Sequence, residues 1–358
     1  MKILAPLFRY DYGDPRRGES LEKLNFVPAI AAFAEVYPFW LEEHGFPGDL
    51  PGLQAAIIAE AERLDPDLIF FILMENEVYS GTLENLRKRW KTANWFCDDQ
   101  WRFESFTRNI APLLSFPITV DKYRLPDFRA IGCENVILSQ WASDSCLQDN
   151  MPDGFEYEVS FIGGKNLVRE WYINELSSSG IHVDCFGAGW ENGRVDNDTM
   201  KSIVSHSKIS LNLTNSVPEN ISFRRYAIRR SLRALIPNGK GVLSYLKKIK
   251  RVFLEVHMSL TSIKRCEQIK ARNFEIPAWR GFQLSQFALG VDDYFVPGKE
   301  IVLFSSLDEL KRLIRYYLEN DIERESIRTE GYRRAAEHTY KKRMQEVLER
   351  IFRVAEHQ

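Results

Sequence analysis

The sequence predicts an α/β protein made of two successive halves, each a parallel sheet with helices on both faces. Three observations carry this. Short uninterrupted apolar runs, such as Leu68-Ile69-Phe70-Phe71-Ile72, alternate with helical patterns, as expected of strands buried on both faces. The alternation pauses at the polar, turn-forming stretch 148–154 and then resumes at once. A chain of 358 residues also exceeds the roughly 250–300 residues that one hydrophobic core usually serves. The domains expected are 1–150 and 155–335, with a closing helix over 336–358 that packs back on the first domain.

In the first half, residues 2–8 read as a buried strand, 9–20 as a turn-rich loop and 21–33 as a helix. That is the opening of a βαβ unit, whose loop lies at the carboxyl edge of the sheet where ligands bind. A GxGxxG fingerprint is absent. Helical patterns at 55–64 and 82–90 alternate with strands at 67–72, 93–96, 117–120 and 135–138. Acidic residues follow several strand ends: Glu75 and Glu77, Asp98 and Asp99, and Asp121. Asp98 and Asp99 have the chemistry of a general base, a hydroxyl acceptor or a metal ligand, and equally that of a helix N-cap. Asp11, beside Arg9 and Arg17, is a further base candidate or a plain turn residue.

The second half restarts with a strand at 159–162, the tight loop Gly163-Gly164-Lys165-Asn166, a helix over 167–177 and a strand at 181–186. Such a loop can present backbone N–H groups to phosphate, aided by the helix dipole. A helix at 200–206 and a strand at 208–213 follow. From Arg224 to Arg265 the chain holds twelve Lys or Arg and one acid, Glu255, although its net charge is -2. Ile228, Leu232, Leu235 and Ile236 share a helical face, as do Val242, Tyr245, Leu246, Ile249, Val252, Phe253 and Val256. A basic insertion over about 223–262 is therefore expected. Packing of its apolar faces against the domain is the favoured use. Contact of 224–256 with anionic lipid is the alternative.

Glu267 and Glu275, eight residues apart, fall close to one face if the segment is helical, with Lys270 and Arg272 between them and a glycine turn at Gly281-Phe282. Carboxylates for sugar hydroxyls and cations for phosphate suit a nucleotide-sugar pocket; a solvated amphipathic helix has the same pattern. Beyond it, a strand at 301–304 and helices at 306–318, 322–337 and 341–354 complete the chain.

Composition narrows the function classes. Hydrophobic content of 44% and charged content of 27% are those of a globular protein, and the charge balance gives no general attraction to nucleic acid. Five scattered cysteines without CxxC spacing suggest neither zinc nor a disulfide framework, but a reducing compartment. The amino-terminal run meets Arg9 and Asp11 too early for a signal peptide, and the longest apolar run, 68–74, is too short for a bilayer. A cytoplasmic protein, peripheral at most to the inner face of the membrane, is expected. His206 and His338 read as structural.

The stretch 268–278, the segment Pro297-Gly298-Lys299-Glu300-Ile301-Val302 and the tail Gly331-Tyr332, His338-Thr339-Tyr340 and Arg343 resemble the carboxyl-terminal signature of CgeB-like, spore maturation type glycosyltransferases. Asn94-Trp95-Phe96-Cys97-Asp98-Asp99 is similar to a segment of their first domain. The resemblance implies a GT-B architecture, two Rossmann-like domains facing across a cleft, and a hexosyltransferase that needs no metal. Its donor would be UDP- or another NDP-hexose, and its acceptor a glycan or lipid-linked hydroxyl. It implies that Glu275 accepts the ribose hydroxyls, that Glu267 lies near the sugar, and that Lys270 and Arg272 face the diphosphate. Gly163, Gly164, Gly281 and Phe282 would complete the donor side, and Asp11, Asp98 or Asp99 would supply a base if the reaction inverts. Where the family usually has Gly-Gly, this chain has Arg280-Gly281. A non-catalytic carbohydrate- or nucleotide-binding assembly protein and a sugar-nucleotide epimerase are the competing readings.

Overall fold

The computed structural model describes residues 1–144, 154–213, 216, 218, 221–234, 249–250, 253, 257, 264 and 267–353. They form two compact units, one of 1–146 with 337–358 and one of 147–336. In the first unit the elements are β1 (Lys2–Leu7), a π turn (Glu22–Phe26) running into α1 (Val27–Ala31), β2 (Glu35–Trp40), α2 (Leu50–Leu64), β3 (Leu68–Phe71), α3 (Ser80–Arg87) and β4 (Lys91–Phe96). Next come α4 (Asp99–Arg102), a π turn (Phe103–Thr107), α5 (Arg108–Ile110), β5 (Phe116–Thr119), α6 (Leu125–Ala130) and β6 (Ile137–Leu138). The second unit holds β7 (Tyr157–Ile162), α7 (Leu167–Ser177), β8 (Asp184–Phe186), α8 (Asn197–Ser205), β9 (Ser207–Asn212) and α9 (Ile221–Ala234). It continues with α10 (Arg272–Ala278), β10 (Gln283–Gln286), β11 (Val302–Phe304), α11 (Leu307–Glu319) and α12 (Asp321–Ala335); α13 (Tyr340–Arg353) belongs to the first unit.

Both sheets are wholly parallel. The first has the order β2-β1-β3-β4-β5-β6 and the second β11-β10-β9-β7-β8. In each, the chain winds outward in both directions from its first strand. The crevice between β1 and β3, and that between β7 and β9, are therefore the switch points where ligands of doubly wound sheets bind. The register pairs Ile3 with Leu68 in one sheet and Ser160 with Ser210 in the other. Leu4, Ile69 and Phe71 are buried in the first core; Phe161, Leu211 and Leu284 are buried in the second.

The chain returns to the first unit at its end. Ser143 donates its backbone N–H to the His338 carbonyl at 3.0 Å, and Tyr340 donates to the Ser143 carbonyl at 3.0 Å. The Tyr340 ring then packs 4.9 Å from Phe26, which lies 5.0 Å from Trp95. His338 is buried beside Arg343, 3.0 Å away, and the His206 ring lies 2.8 Å from the Ser202 carbonyl.

The structure departs from the sequence reading in four places. β2 contains Pro38 and begins with Glu35, a pattern that hides a strand but suits the edge position it occupies. β10 was hidden because Gln283, Ser285 and Gln286 are polar, yet all of them are buried. The shared helical face of Glu267 and Glu275 is not formed: 267–270 are non-helical and α10 starts only at Arg272. Asn273 accounts for the late start, since its side-chain carbonyl accepts the Lys270 N–H at 2.9 Å and holds the preceding turn in place. Packing of Ile228 and Leu232 is corrected too. They are 51% and 59% exposed, and α9 packs instead through Phe223 and Ala227, both 0% exposed. Leu235, Ile236 and most of the second basic segment, with the boundary 148–153, Cys146 and Cys266, lie outside the described residues.

Candidate functional site

At the carboxyl edge of the second sheet the chain gathers charge. β7 ends in Gly163-Gly164, and α7 begins at its N-cap Asn166, whose side chain accepts the Arg169 N–H at 2.9 Å. The loop folds tightly against its neighbour, with Gly163 donating to the Phe186 carbonyl at 2.8 Å and Lys165 to Ala188 at 2.8 Å. Only glycine fits at 187: its φ is +125°, and a Cβ there would stand 2.5 Å from the Gly163 carbonyl oxygen.

From the first turn of α7, Arg169 reaches across the switch point. Its Nη1 donates to the Gly164 carbonyl at 2.8 Å and its Nε to the Leu213 carbonyl, just past β9, at 3.1 Å. Burial first, and then the nearby Arg272 charge, lower its pKa to about 10, with the Glu267 charge opposing both. Burial likewise pushes Glu267 up to about 7, against a hydrogen bond with Ser216 and the charges of Lys270 and Arg169. Glu275, on α10, is buried and pairs with Arg272 at 3.0 Å. The Arg272 guanidinium also lies 5.2 Å from the Trp279 ring.

A buried polar network holds this segment on the strand ends. Asn212 at the end of β9 and Asn273 on α10 each donate a side-chain N–H to the Ser285 hydroxyl at 3.1 Å. Tyr172 on α7 is hydrogen-bonded to Gln286, and burial and the Glu267 charge raise its pKa. The polar face of β10 is thus the seat of the 267–275 segment. Fixed donors and cations so placed can hold a phosphate-bearing ligand without rearrangement.

Gly281 and Phe282 stand elsewhere. They precede β10 and so lie at the amino end of that strand, opposite the charged edge. Phe282 is fully buried, with its ring 4.8 Å from Tyr317. Gly281 closes α10 by donating to the Ile276 carbonyl at 2.8 Å, and a Cβ there would meet Val204 at 2.5 Å. Both residues are thus engaged in packing at that end of the strand. Arg280 takes the left-handed conformation that glycine favours, φ +57°, while its guanidinium lies 3.8 Å from the Tyr332 ring and its carbonyl accepts from the buried Arg328.

The corresponding edge of the first sheet is acidic. Asp11 pairs with Arg17 at 2.9 Å, and Arg17 lies 4.3 Å from the Tyr12 ring. Tyr12 has a left-handed backbone, φ +53°, and burial with the charges of Asp98 and Asp11 raises its hydroxyl pKa. These three side chains therefore converge. Glu22, at the start of the π turn, joins them: burial raises it to about 7, and Asp11 and Glu42 push in the same direction. Glu42 is occupied, accepting the Arg9 and Tyr10 N–H groups, each at 3.0 Å.

Asp99 opens α4. It is 1% exposed, and its two oxygens accept the hydroxyls of Thr107 at 2.7 Å and Thr119 at 2.5 Å, tying α4 to β5. Burial raises its pKa to about 6. Glu77 and Asp121 are likewise structural, accepting backbone N–H groups in their own loops. Among the described residues no group of three or more His, Cys, Asp or Glu could hold a metal ion, and no helix is long and apolar enough to cross a membrane.

Sequence reasoning missed Arg169 and Glu22. Arg169 sits three residues after a helix N-cap that itself follows a glycine loop, which is the signal that finds it.

This architecture is that of GT-B glycosyltransferases. Over 99% of the chain and 100% of the other, it is similar to a sucrose-phosphate synthase from Thermosynechococcus elongatus, at 13% identity and a TM-score of 0.56. It is also similar to HepE of Anabaena in complex with UDP and glucose, at 12% identity and a TM-score of 0.55, covering 98% of each chain. TarM of S. aureus aligns over 84% of this chain at 10% identity and a TM-score of 0.52; the present chain spans only 58% of TarM. Residues 241–349, less than a third of the chain, match a family model described as glycosyl transferase-like. A comparison with curated protein sequences gives no match.

Proposed function

We propose that the protein is a glycosyltransferase, of the CgeB-like type, that moves a hexose from UDP- or another NDP-hexose to a hydroxyl of a glycan or lipid-linked acceptor. The observation that carries this reading is Arg169 at the β7/β9 switch point, hydrogen-bonded to both strand-end loops and close to the Arg272 charge. A diphosphate beside them would relieve the repulsion between two guanidinium groups, one of them buried. The glycosyl transferase-like match over 241–349, which contains Lys270, Arg272 and Glu275, supports it.

In this reading the Gly163-Gly164 loop and the α7 amino terminus approach the diphosphate, Lys270, Arg272 and Arg169 balance its charge, and Glu275 accepts the ribose hydroxyls. Transfer breaks the bond from the sugar C1 to the diphosphate oxygen and forms one to the acceptor oxygen. The cations stabilise the negative charge that develops on the leaving group, so no metal is required. If the reaction inverts, a carboxylate takes the acceptor proton, and Asp11, Glu22 and Asp98 are the candidates. Glu22, held near neutral pKa, is the best matched to that task. Glu267, with its pKa near 7, stands on the sugar side of the donor. The basic segment 224–256 would hold the protein at the inner face of the membrane, where a lipid-linked acceptor is found.

Isothermal titration with UDP, followed by donor turnover with and without acceptor glycans, tests this. The expected result is UDP binding that weakens in Glu275→Ala and is unchanged in Asp98→Ala, with turnover that depends on acceptor. Binding without turnover would favour the assembly-protein reading, and donor isomerisation without transfer the epimerase. Absence of UDP and other nucleoside diphosphate binding sinks both enzyme readings.

A further inference from the structure

We propose that α9 docks on an anionic lipid surface through a stripe of arginines and an adjoining aliphatic ridge. This rests on the glycosyltransferase reading with a membrane-bound acceptor and assigns the contact to one face of one helix. Ile221, Ile228 and Leu232 are 68%, 51% and 59% exposed, and their spacing of seven and four residues aligns them along α9. Arg225, Arg229 and Arg233, four apart and exposed, form a second line beside the first. Phe223 and Ala227 bury the opposite side. Apolar ridge, cationic stripe and packed face thus divide the helix into three.

The stripe overlooks a cavity of about 450 Å³ whose other wall is α7, with Glu170 and Glu175. Those acids are already engaged. Arg230 pairs with Glu170 at 2.7 Å and Lys165 does so at 3.3 Å. Glu175 accepts the Ser222 hydroxyl at 3.3 Å and lies 3.8 Å from Lys311. Among the described residues, Arg225, Arg229 and Arg233 have no carboxylate within ion-pair distance. These three guanidinium groups, each able to grip a phosphate with two N–H groups, are exposed.

Stripe and ridge run side by side over roughly 18 Å of helix, at 1.5 Å per residue. A soluble phosphate ligand would use the arginines and leave the ridge wet. A bilayer surface uses both, phosphates meeting the arginines and the acyl boundary taking the ridge, as interfacial helices do. The charge complementarity selects anionic headgroups.

The test is co-sedimentation of the full chain with phosphatidylcholine vesicles, with and without phosphatidylglycerol, at low and high salt. The wild type is expected to sediment with the anionic vesicles alone, and less at high salt. Replacing Arg225, Arg229 and Arg233 together by Gln should lower partitioning on the order of 100-fold, from about fivefold per charge. Ile221→Ser, Ile228→Ser and Leu232→Ser together should also lower it, leaving a weaker, salt-sensitive remainder. UDP titration of each variant should match the wild type, which excludes misfolding as the cause. Wild type that stays in the supernatant, an arginine variant that partitions like wild type, or inorganic phosphate that competes at constant ionic strength overturns the proposal. Vesicle binding as described in a protein that fails to bind UDP would keep the docking face and discard the donor site instead.

Discussion

The carboxyl edges of the two sheets are alike in backbone and opposite in charge. Each follows a switch point in a parallel, doubly wound sheet, and each is closed by a loop running into a helix. In the second unit the edge carries Arg169, Lys270 and Arg272 around Glu267 and Glu275. In the first it carries Asp11, Glu22, Glu42 and Asp98 around Tyr12 and Arg17. The sheet sets where a ligand can sit, and the few side chains that reach the edge decide its charge. A cationic edge suits a diphosphate. An acidic edge with one carboxyl near pKa 7 suits proton removal from a hydroxyl.

The contrast can be broken from either side. The largest expected effect is on the acidic edge: Glu22→Gln should lower transfer by about 1000-fold and leave UDP affinity unchanged. A base works deprotonated, so wild-type kcat/KM should rise with pH and level off above about 7, and this variant should lack that limb. Glu267 titrates in the same range, and a limb that vanishes in Glu267→Gln rather than in Glu22→Gln would move the controlling group to the cationic edge. Arg169→Gln should cost about 100-fold in transfer and weaken UDP binding as well, because in the proposed reading it removes a fixed charge beside the leaving group. Glu275→Gln should weaken UDP about tenfold by calorimetry, the scale of one charged hydrogen bond.

Asp99→Asn is the control and should alter neither transfer nor UDP binding. Its effect should appear in stability against pH. The folded pKa of about 6 lies above the unfolded value of about 4, so the protonated form contributes stability that is fully present below pH ~4 and lost as pH rises through about 6. Urea unfolding across that range should show a shallower decline in the variant than in the wild type.

Much of this was legible in the residues, for reasons that also explain what was not. Leu68–Phe71 lies inside a parallel sheet and is apolar on both faces, so it announces itself. Gln283–Gln286 is just as buried but polar, and its Ser285 hydroxyl finds its partners, Asn212 and Asn273, only in the folded chain. Glu267 was readable as a residue but not as geometry, because spacing alone assumed a helix that begins only at Arg272. Arg169 looks like any cation on an amphipathic helix until β9 brings the Leu213 carbonyl to it. Glu22 looks like an ordinary first-turn acid until its carboxyl is covered. At Gly281 the close approach that excludes a side chain is made by Val204 and Ile276 of the protein itself.

The central claim is that a nucleoside diphosphate sits on the cationic edge. A crystal structure of the protein with UDP tests it directly. The account predicts the diphosphate against the Gly163-Gly164 loop with Arg169 and Arg272 beside it, and the ribose hydroxyls on Glu275. UDP seated instead against Tyr12 and Asp98 would contradict it.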